Sequence, residues 1–205
     1  MQITSRATES RSLIIHKVAE VLREERAMAT NIESAVDRAG VDRDEVDATF
    51  GSMRGLILEM VSDLWGELLR PLQDHVSDRP LPDVLIAFGN RIADCYGGSH
   101  LIALYQIVLT EAARHSGIGT EFFERGPGRL SMCLAEYLEH SAQRFKQLRI
   151  KDPKRIAESF LSLLGDNLEI SDVMTATRTP SAKNHSDAVI EAVEFLYRGI
   201  AIEGQ

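Results

Sequence analysis

The chain has 205 residues, is 44% hydrophobic, 26% charged and 6% aromatic, and carries a formal net charge of -8. That is enough chain for one large or two small domains of ordinary globular balance. Strongly β-looking runs are few, and no apolar run approaches the roughly 18 residues of a membrane span. With no signal peptide before the first helix, the reading is a cytoplasmic helical protein with free thiols at Cys95 and Cys133.

Residues 1–9 are polar and read as loose. From Ser10 to Arg26 the apolar positions Leu13, Ile14, Val18, Val21 and Leu22 fall on one helical face, with Ser12, Lys17 and Arg23 outward. Two short helices follow. Thr30 with Glu33, and Asp42 with Glu45, have the spacing of capping boxes, in which a cap oxygen and a returning carboxylate satisfy free backbone N–H groups. Between the helices lies Ala39-Gly40-Val41, where Gly40 supplies the positive φ of a short inter-helix turn and Val41 reaches the core. The pattern is a helix-turn-helix. Phe50-Gly51-Ser52 then leads into a long helix on which Leu56, Met60, Leu64, Leu68 and Leu72 recur, and Pro71 either kinks or splits it, or marks an end near Arg70.

Asp78 to Pro82 is a turn. Leu85, Phe88, Ile92 and Tyr96 mark a helix that ends at Gly97-Gly98, and His100 to Arg114 reads as a helix apolar nearly all round. Ser116 to Gly119 is a break. Pro127 suits the first turn of a helix carried on by Leu130, Leu134, Tyr137 and Leu138, and Asp152-Pro153 starts another with Ile156, Phe160, Leu163, Leu164 and Leu168. Met174 to Ser186 is polar and reads as a loop. The final helix has Ala188, Val189, Ala192, Val193, Leu196 and Ile200 on one face.

The order of a short helix, Ala39-Gly40-Val41, a short helix, Phe50-Gly51-Ser52 and a long helix resembles the DNA-binding head of TetR-type transcriptional regulators. Glu111-Ala112-Ala113-Arg114, Phe122-Phe123-Glu124-Arg125-Gly126-Pro127, and Asp152-Pro153 with Phe160-Leu161-Ser162-Leu163-Leu164-Gly165-Asp166 resemble the AefR-like branch of that family's C-terminal domains. The resemblance implies an all-α protein: a three-helix helix-turn-helix head at 10–52, and a helical body at 53–205 that binds a small molecule and forms a homodimer. Its implied partners are DNA and a small, apolar effector, with no membrane.

The charges run against the head's role. Residues 1–60 hold eight Lys and Arg against eleven Asp and Glu, a balance of -3. Duplex DNA is bound chiefly by cations that displace its counterions. The second helix reads Asp42-Arg43-Asp44-Glu45-Val46-Asp47-Ala48-Thr49; Asp47 stands where the family's phosphate-contacting Tyr is expected, and Met53 where a Lys is frequent. Arg43, Thr49, Ser52 and Arg54 remain as candidate DNA contacts, with Arg6 and Arg11 as an arm reaching a groove. A second reading follows, in which the fold is kept, DNA contact is lost, and the protein is an adaptor for a ligand or a protein.

An enzyme is not expected. There is no Gly-rich phosphate loop and no defensible Ser, His and acid spacing, and none of the six His residues pairs at the i, i+4 spacing of a zinc site. No cofactor or metal is called for. The candidate ligand residues are Trp65, Phe88, Tyr96, His100, Tyr105, Phe123, Met132 and Tyr137, the apolar and aromatic surfaces that small-molecule pockets use, with His100 as a polar anchor. For the dimer, the stripes Phe160, Leu164, Leu168 and Val189, Ala192, Val193, Leu196 either pair with their twins, as in the family, or close the monomer's own core.

Overall fold

The computed structural model describes residues 2–25, 31–73, 79–98, 100–114, 117–146, 148–168 and 182–201. Every regular element among the described residues is helical. They are α1 (Gln2–Glu25), α2 (Ile32–Arg38), α3 (Arg43–Phe50), α4 (Met53–Leu69) with a 3₁₀ turn at Arg70–Leu72, α5 (Leu81–Gly98), α6 (Leu101–Ala112), α7 (Ile118–Arg125), α8 (Pro127–Arg144), α9 (Pro153–Asn167) and α10 (Ala182–Ile200). Contacts group the chain into two compact units, Met1–Leu64 with Gly98–Gly126, and Trp65–Gly97 with Pro127–Gln205.

In the first unit α1 packs on α2, α3 and α6, and α6 packs on α7. Ile14, Val18, Ala19 and Leu22 of α1 are buried, as are Ile32, Ala35 and Val36 of α2, Val41 and Val46. The turn is as the sequence requires: Gly40 has φ +64, and its N–H donates to Asp37 O at 3.2 Å. Asp42 caps α3, accepting from the Asp44 N–H at 2.9 Å.

Four local expectations are corrected. Residues 2–9 are helical, as the opening of α1. Leu13 is 54% exposed, because the buried stripe runs through Ala19 instead. The cap of α2 is Asn31, whose side chain accepts from the Ser34 N–H at 2.7 Å; Thr30 lies outside the described residues. Glu45 turns away from a return to its cap and accepts from the Ser10 hydroxyl at 3.2 Å. Between the alternatives at Pro71, the α-helix ends at Leu69, and the missing proline donor falls in the 3₁₀ turn.

In the second unit α9 packs between α8 and α10, and α8 also meets the 3₁₀ turn. Pro127 opens α8, and Asp152 caps α9 by accepting from the Arg155 N–H at 3.0 Å. Gly89 of α5 lies against α10, so close that an added Cβ would stand 2.6 Å from Val189 Cγ1. The polar stretch read as a loop to Ser186 gives way to α10 at Ala182, with residues 169–181 outside the described set. Leu148 and Ala201 form an isolated antiparallel bridge. Cys95 and Cys133 are both free. No helix among the described residues is long and apolar enough to cross a membrane.

Candidate nucleic-acid interface and ligand-binding residues

Helix α3 buries only Val46 fully; Arg43, Asp44, Glu45, Asp47 and Ala48 are exposed and Thr49 is half-buried. Such a helix is held by one anchor and leaves the rest of its surface open. The acids have a local structural reason. Asp42 is the cap, and Asp44 and Glu45 sit in the first turn, where the partial positive charge of free N–H groups favours anions.

The four candidate DNA contacts differ in their engagement. Arg43 is clamped by Asp37: Nε donates to Oδ1 at 3.0 Å and Nη2 to Oδ2 at 2.7 Å. The bidentate bond holds the Asp37 carboxyl below the usual carboxylate range and raises the Arg43 guanidinium. Arg54 donates to Glu121 at 2.6 Å, tying the start of α4 to α7. Ser52 uses its hydroxyl to accept from the Gly55 N–H at 3.1 Å, capping α4. Thr49 is the remaining one, beside the turn at Gly51. Of the two arm residues, Arg11 is turned inward, 2.7 Å from Glu59 and 5.2 Å above the Phe50 ring; the Arg6 side chain lies outside those described.

The ligand candidates separate in the same way. Trp65, Phe88, Tyr96, Met132 and Tyr137 belong to the second unit, and His100, Tyr105 and Phe123 to the first. Trp65, Phe88 and Tyr137 are buried. Trp65 Nε1 finds no hydrogen-bond partner among the described residues. Met132 is 57% exposed and Phe123 60% exposed, so neither lines an interior. The inward aromatic of α7 is Phe122, whose ring meets Tyr105 edge-on at 4.7 Å. Phe122 was within reach of sequence reasoning: with Ile118 four residues earlier, it completes the apolar stripe of α7.

His100 stands at the cap position of α6, buried, with neither ring nitrogen partnered among the described residues. Burial, and then the charge of Arg23, lower its pKa from 6.5 to about 4. The neutral ring is therefore the folded form. Stability is complete above the unfolded pKa and falls as pH drops from 6.5 toward 4, because the unfolded chain binds the proton first. The loss is expected to be about 2 kcal/mol near pH 5. Urea unfolding at pH 7 and pH 5 measures it, and the His100→Leu variant should lose that share of the pH dependence. An unchanged dependence in the variant would assign it to other groups.

The seven residues of the expected dimer stripes are all buried within a single chain: Phe160, Leu164 and Leu168 on α9, and Val189, Ala192, Val193 and Leu196 on α10. Of the two roles open to these stripes, pairing with a copy or closing the monomer's own core, their burial accords with the second. Helix α9 packs on both α8 and α10, so these side chains lie in the monomer's own core. Among the described residues, the large apolar side chains that α10 leaves exposed are Ile190 and Phe195, the latter 73% exposed.

Comparisons with known proteins agree with this architecture. A TetR-family transcriptional regulator from Mesorhizobium loti superposes with a TM-score of 0.74 at 16% identity, over 96% of this chain and 99% of that one. A TetR regulator from Agrobacterium tumefaciens gives 0.69 at 20% identity, over 95% and 96%. SmeT of Stenotrophomonas maltophilia, solved in complex with triclosan, gives 0.66 at 17% identity, over 96% and 93%. At these identities the likeness shows the fold. No curated protein matches the sequence significantly. The sequence model of the AefR-like transcriptional repressor C-terminal domain matches residues 83–199. The chain therefore belongs to the TetR family of transcriptional regulators, in the branch with an AefR-like C-terminal domain.

Proposed function

We propose that the protein is a transcriptional regulator that binds DNA as a homodimer and releases or engages it in response to a small, apolar molecule. The observation that carries this reading is the geometry of α2, the Gly40 turn and α3, which leaves every side chain of α3 but Val46 wholly or partly open. A recognition helix is used in that way, with its N-terminal residues set in a major groove. The division into a head at 10–52 and a body at 53–205 belongs to the same proposal. The effector binds in the body, whose buried Trp65, Phe88 and Tyr137 offer an apolar setting with one indole donor in want of an acceptor. The triclosan complex of SmeT supports an effector of that class. The second copy pairs through the open face of α10 that carries Ile190 and Phe195. The effector then acts by favouring one spacing of the two heads over another.

The test is fluorescence anisotropy of the full chain with fragments of the gene's own upstream region, at about 50 mM and about 200 mM salt. Specific binding that weakens steeply with salt is expected. A folded dimer that binds none of the fragments at the lower salt would reject the proposal. One observation favours a second reading in that event. The exposed surface of α3 holds Asp44, Glu45 and Asp47, and its one Arg is neutralised by Asp37. That surface suits an adaptor whose head has left DNA.

A further inference from the structure

We infer that the first unit carries a small-molecule site of its own, for an amphipathic organic cation, on the flank of the helix-turn-helix. It is separate from the effector site proposed above. A cleft of about 760 Å³ lies among the first turns of α2 and α4, the second half of α6 and the start of α7. That volume falls in the range of small-molecule pockets, roughly 300–1,000 Å³. None of the eight side chains put forward for the effector lines it.

The floor is apolar, made by the buried Ile32, Ile57, Ile107 and Ile118. Leu109, 62% exposed, adds an open apolar wall that no close packing within the unit explains. The rim sets the charge. Its two cations each face a carboxylate, Arg54 with Glu121 at 2.6 Å and Arg114 with Glu111 at 2.9 Å. Glu33 lines the cleft and forms no ion pair within 4 Å among the described residues; the cation its charge acts on, Arg43, is clamped by Asp37. An anion entering the cleft meets guanidiniums already engaged and an opposing carboxylate. An ammonium group meets Glu33, while its apolar part covers the isoleucine floor. Because Ile32, Glu33, Met53 and Arg54 sit on the helices either side of α3, an occupant touches both supports of that helix.

The experiment titrates the full chain with dansylcadaverine, a fluorescent apolar primary amine, and in parallel with its N-acetylated, uncharged analogue. Dansyl emission is the readout. Thr110→Trp fills the cleft from an exposed rim position whose hydroxyl bonds only within α6, to the Gln106 carbonyl at 2.9 Å. It is expected to weaken amine binding more than tenfold or so, as a bulky side chain excludes the ligand outright. Glu33→Gln is expected to weaken the amine about fivefold and leave the acetylated analogue unchanged, the size of one exposed ion pair. Binding of the amine that neither variant alters overturns the inference, as does an acetylated analogue that binds the native chain as tightly as the amine. No binding of the amine to the native chain overturns it too.

Discussion

A triple variant, Asp44→Asn with Glu45→Gln and Asp47→Asn, is expected to bind DNA roughly 30- to 100-fold more tightly than the native chain at about 50 mM salt. The three acids are exposed on α3, the helix proposed to enter the groove. A charge about 4 Å from a phosphate costs about 1 kcal/mol in water, so three come to about 3 kcal/mol, or roughly 150-fold, and partial screening by the salt brings this down to the stated range. Interactions are screened beyond about 10 Å at 0.1 M salt, so the gain should shrink as salt rises. Asp42 is kept, because its carboxylate caps α3 through the Asp44 N–H. The variant carries a stability cost of its own: Asp44 and Glu45 lie in the first helical turn, where each anion contributes roughly 0.3–1 kcal/mol. Weaker folding with tighter DNA binding is therefore the expected signature. Anisotropy titrations of both proteins at two salt concentrations measure it. Equal affinities would show that α3 does not approach the phosphates, and would move the reading to the adaptor.

Those acids also show where sequence reasoning reached and where it stopped. The helix-turn-helix was legible because each of its parts has a local cause: Gly40 for the positive φ, Asp42 for the cap, Val41 and Val46 for the core. Pro127 and Asp152-Pro153 marked helix starts for equally local reasons. The cap of α2 moved from Thr30 to Asn31 because both side chains can accept from a first-turn N–H, and only the backbone decides between neighbours. The stripes on α9 and α10 were legible as apolar faces. Periodicity does not say whether a stripe is covered by its own chain or by a copy, and here Phe160, Leu164, Val189 and Val193 are covered within the chain. Phe123 and Phe122 are neighbours a third of a helical turn apart, and the inward one is set by the partner ring of Tyr105. Arg54 to Glu121 is a pair across 67 residues, which no local pattern announces.

Substituting alanine at two glycines of α4 is expected to move stability in opposite directions. By helix propensity alone, each Gly→Ala change stabilises an interior helical position by about 1 kcal/mol, through the smaller entropy of the unfolded chain. Gly66 has nothing within 4 Å of the place its Cβ would take, so Gly66→Ala should show that gain. Gly55 is different. A Cβ there would fall on the carbonyl of Phe50, which is backbone and has no rotamer to escape into. Phe50 is itself the last residue of α3, followed by Gly51 at φ +79, and its ring lies under Arg11, which also holds Glu59 of α4 at 2.7 Å. Relief would require α3 and α4 to separate, at the cost of that packing and of the Ser52 cap on the Gly55 N–H. The overlap should outweigh the propensity gain, for a net loss of about 3 kcal/mol or more. Urea unfolding of the two single variants against the native chain tests the contrast, with the slope checked for constancy so that midpoints can be compared. If Gly55→Ala proved as stable as Gly66→Ala, the α3–α4 junction would have to give way freely, and a recognition helix held in a fixed orientation by that junction could not be maintained.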